Sequence, residues 1–305
     1  MEFLNQFTPY AIKWLEVVLR WSHVLFSILW VGNSFLFNYL DNKLNKNIES
    51  KNVDGESFLM HSGYFYKLQR FKRAPENFPS HLIFFKWQSY LTFVTGIFLL
   101  IIIYYANAGI LMVDKRVLDI SPVVAIVISV LFLIGSWIIY DLLCKSTLIK
   151  NTITFTTIIF IITVIISFAL TKIFGSRFAF LSLGVIIGSN MFGNVFSVII
   201  PNQNNIVNSA QNKSTFDESL SIQAKTRSIH NNYATFLVLF IMLSGHYAFI
   251  WSHQYNWIIL AVLALISAGV RHYFNLRAKK INNIYILSIS ILVLIVLMLL
   301  VFVLK

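Results

Sequence analysis

The sequence predicts an all-α protein, a polytopic transmembrane bundle of about eight helices with both termini outside. Three observations carry this. Hydrophobic residues make up 57% of the chain and charged residues only 12%, against roughly 25% charged in a soluble domain. Eight stretches are apolar over the roughly 20 residues that a spanning helix needs. They are 11–40, 84–106, 120–143, 152–173, 178–200, 232–251, 255–276 and 283–304. The basic residues between them are unevenly shared.

The first stretch is longer than a bilayer requires, so it is expected to tilt or project. The fifth and sixth carry polar residues yet stay apolar enough to span. The last has no Asp, Glu, Lys, Arg or His and reads as a peripheral, lipid-facing helix. No connection is long enough for a sizeable soluble domain, so residues 1–305 read as a single transmembrane domain. The longest connection, 41–83, is expected to hold short surface helices before Pro75, Pro79 and the second span. The odd-numbered connections hold 15 Lys and Arg and the opposite side holds 6. Basic loops stay cytoplasmic, which puts both termini outside.

Several classes drop out. The net charge of +12 reads as an orientation signal, and no alternation of basic and aromatic residues suggests a nucleic-acid surface. The single cysteine, Cys144, excludes an intrachain disulfide, a CxxC metal site and covalent haem attachment through CxxCH. The opening MEFLNQFTPYAIKWLE has no basic leader pattern and reads as retained. No internal repeat supports a transporter.

Ionisable groups inside spans are costly and mark functional sites. In the first span Arg20, His23, Ser27, Trp30, Ser34, Asn38 and Asp41 recur at three- and four-residue spacing, one stripe on one face. By the threading, His23 and His246 lie towards the outer side. His61, His81, Asn190, Asn194, His230, Asn231, Arg271, His272 and Asn275 gather towards the inner side. Imidazole, amide and guanidinium groups suit a small, planar, anionic ligand. The outer pair suits axial ligation of a haem b. Plainer readings stand beside these. Arg20 and Arg271 also read as snorkelling side chains. His23 and His246 read equally as packing residues, and the inner cluster as polar glue between helices. Gly184 and Gly188 form a GxxxG that signals helix contact.

The segments RWSHVLFSILWVGNSF (20–35), HSGYFYKLQRFKRAP (61–75), PSHLIFFKWQSYLTFVTG (79–96), VLDISPVVAI (117–126), YDLLCKS (140–146), NVFSVIIPNQ (194–203), RSIHNNY (227–233), SGHY (244–247) and RHYFN (271–275) occur in this order. In them the chain resembles the bacterial integral-membrane urate oxidases, the PuuD-type urate hydroxylases. The resemblance implies a multi-pass enzyme of the bacterial inner membrane that converts urate to 5-hydroxyisourate with water as oxygen source. It implies electron transfer to a cytochrome c. The family's C-terminal cytochrome domain does not follow Lys305, so an external c-type cytochrome is the expected partner, beside urate and the lipid bilayer. Three positions depart from the family's habit: Ser62 for glycine, Gln88 for an acidic residue and Gly245 for asparagine.

On this reading Arg271 grips the urate anion, His230 is the general base with His81 or His61 as relay, and Asn231 orients the ring or the attacking water. His23 and His246 hold the haem iron, and His272 is a candidate ligand of a second, inner haem. Two other readings remain open: a haem-binding membrane oxidoreductase acting on another substrate, and a non-enzymatic purine permease or sensor.

Overall fold

A computed structural model describes residues 2–46, 52–75, 78–79, 81–215 and 217–304, with backbone alone at 2–9. The chain runs α1 (Glu2–Lys43), β1 (Val53–His61), β2 (Tyr64–Phe71), α2 (Trp87–Leu99), α3 (Ala108–Leu111), α4 (Pro122–Lys145), α5 (Thr152–Ile173), α6 (Ser176–Asn194), α7 (Ile200–Gln211), α8 (Glu218–Ser244), α9 (Ala248–Trp251), α10 (Asn256–Ala278) and α11 (Ile284–Val303). This is the all-α polytopic bundle the composition predicts.

Local chemistry sets the boundaries. Ser121 accepts the Val124 N–H ahead of Pro122 at the first position of α4, Asn151 accepts from Thr154 at α5, and Asp217 accepts from Ser219 at α8. Between α6 and α7 a π-helical turn, Val195–Ile199, keeps the rod continuous over Ser176–Gln211. Pro201 has no N–H for the carbonyl of residue 197, and the wider turn sits where that bond is missing.

Among the described residues, seven helical segments are long and apolar enough to cross a membrane: Tyr10–Lys43, Trp87–Tyr105, Pro122–Lys145, Thr152–Ile173, Ser176–Gln211, Asn256–Ala278 and Ile284–Val303. The chain is therefore a multi-pass membrane protein. The expected sixth span, 232–251, differs. Its helix is α8, which starts at Glu218 and stops at Ser244, and whose first half is polar. α8 nevertheless lies inside the bundle, packed along α6 and α10, with Leu237 and Ile241 in the same buried core as Phe174, Phe178, Phe180, Leu183 and Leu260. Close approach depends on missing side chains. A Cβ at Gly184 would stand 2.6 Å from Ile241, and one at Gly193 2.5 Å from the Trp137 ring.

The expected surface helices of 41–83 are overturned, because β1 and β2 form an antiparallel hairpin. Ser62 (φ 50°) and Gly63 (φ 82°) make its two-residue turn, the geometry that matches strand twist. At its base Arg70 bonds Asp54 and reaches Asp41 of α1 at 2.9 Å. Asn45 exchanges backbone hydrogen bonds with Glu56. The tip carries exposed Phe58, Met60, Tyr64 and Phe65.

The last turns of α1, α4, α6 and α10 meet the first turns of α8 and α5 at one pole. The polar residues gather there, at the end that the loop charges assign to the cytoplasm.

Candidate functional site

α8 splits the polar cluster in two. Each residue advances about 100° around a helix, so Arg227, His230 and Asn231 face α4 and α6, while Asn232, Tyr233 and Phe236 face α1 and α10.

On the first face, buried Arg227 donates to Asp141 at 2.6 Å and to the Asn194 carbonyl oxygen at 3.0 Å. Lys145 also pairs with Asp141, at 2.6 Å. Asn194 donates to the Tyr140 hydroxyl at 2.9 Å and to Asn231 at 2.8 Å, and Asn231 donates to the Met191 carbonyl at 2.9 Å. His230 Nδ1 lies 2.8 Å from the Tyr140 hydroxyl, and its ring stacks on Phe155 with centroids 5.0 Å apart. The cation here is neutralised, and both polar atoms of the Asn231 amide are engaged. A cavity of about 50 Å³ between α4, α5 and α6, touched by Ser136, Tyr140, Thr163 and Asn190, has room for a few waters and not for a purine.

The second face is built differently. Arg271 is buried, and its Nε donates to Asn232 Oδ1 at 2.7 Å. Asn275 donates to the same oxygen at 3.1 Å, Asn38 to Asn275 at 2.9 Å and Asn42 to Asn38 at 3.0 Å. The guanidinium stacks 4.0 Å from the Phe35 centroid, with Phe236 at 5.8 Å. Among the described residues no carboxylate lies within ion-pair distance of Arg271, and its terminal nitrogens donate to none of them. The Asn232 Nδ2 is likewise buried without a partner. A buried cation with no counter-ion is costly. Beside it stand an unused fork of donors and an unused amide N–H, an arrangement that an anion would complete. On the rim, the Tyr233 hydroxyl lies 2.7 Å from Nδ1 of His272.

Thus Arg271 and His272 come together, while His230 and Asn231 lie on the opposite face of α8. His61 ends β1 at the hairpin turn, seven residues from Asp54 and roughly 23 Å away at about 3.3 Å per residue. His81 is exposed before α2. No contact joins either to Arg271. Sequence reasoning missed Asn232, Tyr233, Phe35 and Phe236. The available signal was the i, i+4 register of Asn232 with Phe236 and of Arg271 with Asn275.

The stripe on α1 is half-buried from His23 to Asn38. His23 Nδ1 sits 2.9 Å from the Thr92 carbonyl and 3.1 Å from the Thr95 hydroxyl, and Gly96 leaves room for the ring, since a Cβ there would be 2.9 Å from Cε1. An imidazole whose Nδ1–H is held by a carbonyl presents Nε2 as a lone-pair donor, the arrangement of metal-bound histidines. On that count His23 fits a haem ligand. His246 follows Gly245, where α8 ends beside Arg177, and no contact joins it to His23.

Fold and contacts together define a multi-pass membrane protein with a buried arginine, unpaired among the described residues, at its basic pole. The chain belongs to the family described as urate oxidase N-terminal, whose match spans residues 9–303. It is thus a urate-oxidase-related membrane protein. Neither the curated proteins nor the solved structures gave a match.

Proposed function

We propose that this chain is a membrane-bound urate hydroxylase of the bacterial inner membrane, with urate held by Arg271 and electrons leaving to an external c-type cytochrome. The buried, unneutralised guanidinium of Arg271 carries the reading. Urate is a planar anion at neutral pH. Its oxygens take the two free ends of the fork, and its ring edge takes the unpartnered N–H of Asn232. Phe35 turns from its stack on Arg271 to admit the ring, and Phe236 closes the other side. Family membership supplies the reaction class.

The overall chemistry is balanced. The urate monoanion and one water give 5-hydroxyisourate, one proton and two electrons. The chain must orient the ring, place a water against it and remove the proton. A haem b, held through His23 with His246 as the proposed second ligand, would supply one-electron acceptance when bound. The test is urate-dependent reduction of ferric cytochrome c by purified protein, followed anaerobically. Wild-type reduction with more than a hundredfold loss in Arg271→Met supports the assignment. Reduction that survives Arg271→Met at the wild-type rate overturns it. Saturable urate binding with no reduction by wild type favours the permease or sensor reading instead.

A further inference from the structure

We propose that Tyr233 and His272 form the proton exit of the Arg271 site, and this rests on the reading of that site as the urate pocket. His230 is tied to Tyr140 on the far face of α8, so the pocket needs another proton acceptor. Tyr233 is the adjacent candidate. It follows Asn232 on α8, is half-buried, and lies within electrostatic reach of Arg271. Its hydroxyl lies 2.7 Å from His272 Nδ1. The imidazole belongs to α10, immediately after Arg271, and is exposed.

The three groups therefore run in order from a buried cation, through a half-buried hydroxyl, to an exposed base. His272 also stands about 8 Å along the helix axis from Arg277, at 1.5 Å rise per residue, so the base faces the basic, cytoplasmic pole. A phenol in this position relays without changing its own charge for long. As water adds to the urate ring, its proton passes to the Tyr233 oxygen while the Tyr233 proton passes to His272 Nδ1. The imidazolium then gives one proton to solvent, and exchange with solvent returns the exposed ring to the Nε2–H form that can accept again at Nδ1. One O–H bond breaks at the water and one N–H bond forms at His272. The two electrons leave separately to two ferric cytochromes. The spacing suits proton transfer, which needs heavy atoms about 2.6–3.2 Å apart. The exposed ring is thereby assigned as a base in contact with solvent, in place of the inner-haem ligand that the sequence allowed.

The experiment uses the full chain with urate and ferric cytochrome c. Tyr233→Phe and His272→Gln are compared with wild type for urate affinity, by ligand-induced thermal shift, and for turnover. His272→Gln keeps an acceptor for the Tyr233 hydroxyl but cannot take up a proton, so it separates relay from packing. Both variants should bind urate within about twofold of wild type and turn over roughly 10²–10⁴-fold slower, the usual weight of a general base. Imidazole in the buffer should restore part of the turnover of His272→Ala and none of Tyr233→Phe. Wild-type turnover in His272→Gln, or losses in both variants that follow lost urate affinity without imidazole rescue, overturns the relay and leaves the Arg271 site standing. A wild-type protein that neither binds nor oxidises urate overturns both.

Discussion

Arg271→Met separates a site built for a ligand from one built for stability, because the two effects have opposite signs. In the wild type without ligand, a guanidinium is buried with one hydrogen bond, to Asn232, and one close aromatic stack, on Phe35. Removing the Asn232 bond costs about 1.5–3 kcal/mol, as for hydrogen bonds to charged groups. The stack is worth about 1–2 kcal/mol, part of which the methionine keeps by packing on the ring. Against this, the desolvation of an unpaired buried charge amounts to several kcal/mol. Asn232 Oδ1 retains its bond from Asn275 in the variant, so no buried acceptor is orphaned. The unliganded variant should therefore unfold at the wild-type temperature or a few degrees above it. Ligand binding moves the other way. Loss of the partner of a buried, hydrogen-bonded charge costs about 2–5 kcal/mol, which is roughly 30- to 4,000-fold in affinity at 1.4 kcal/mol per decade. Wild type at 100 times Kd gains about 2.7 kcal/mol of stability from ligand, and the variant should gain about 0.9 kcal/mol or less at that concentration. The assay is thermal unfolding in detergent, with and without urate. A large drop in the unliganded Tm, with the urate-induced increment intact, would refute the reasoning and make Arg271 a structural residue.

Other outcomes follow from the same contacts. Arg227→Met leaves the half-buried Asp141 with Lys145 alone, so it should destabilise by about 2–3 kcal/mol, below the 3–5 kcal/mol of a fully broken buried pair; in the Asp141→Asn background, denaturation should show most of that cost removed. Gly184→Ala, whose Cβ would stand 2.6 Å from Ile241, should lower Tm, while Gly188→Ala, with Val238 at 3.9 Å, should not. The hydrogen bond from Arg70 holds the Asp54 carboxyl below the usual carboxylate range. That clasp is fully present above about pH 3.9, the unfolded value, and is lost as pH falls through the lower folded value; pepsin cleavage at the hairpin base should rise in that window, and Arg70→Ala should abolish the rise. A reporter fused to the C-terminus should lie outside, since α8, packed inside the bundle between the fifth and sixth of the seven apolar spans, adds the crossing that makes eight.

Much of this was legible from residue types and spacing. The polar stripe of α1 emerged from its three- and four-residue intervals and is half-buried as expected, and Arg271 stood out as a charge within a span. What failed was local geometry. His230 and Asn231 read as one cluster with Arg271, yet each step along a helix turns about 100°, so these two serve one network and Asn232, the next residue, serves the other. The hairpin was hidden because 41–83 stood out by its basic residues and its two prolines, which mark a loop between spans. Its signal was Ser62–Gly63 between strand-forming runs, a two-residue turn with both residues left-handed. Arg227 was counted among loop charges because it lies before the apolar run. Only the packing of α8 along α6 shows that its polar half is interior.

That packing bears on how the protein is made. α8 presents the bilayer with Arg227, His230, Asn231 and Asn232 in its first half, and by length and composition it falls outside the helices able to cross alone. A segment of this kind partitions poorly from the translocon into lipid, because each central charged residue costs about 2.5–3.5 kcal/mol there. Its partners emerge on both sides of it in time. Asp141 and Asn194 are synthesised before Arg227, whereas Arg271 and Asn275 come after Asn232. The helix can thus be received by α4 and α6 through its first network while α10 is still in the ribosome. The Arg271 network is completed last, when the final helices return to a bundle already threaded. Substitutions at Asp141 or Asn194 should then appear first as failed insertion of α8, with the reaction lost as a consequence.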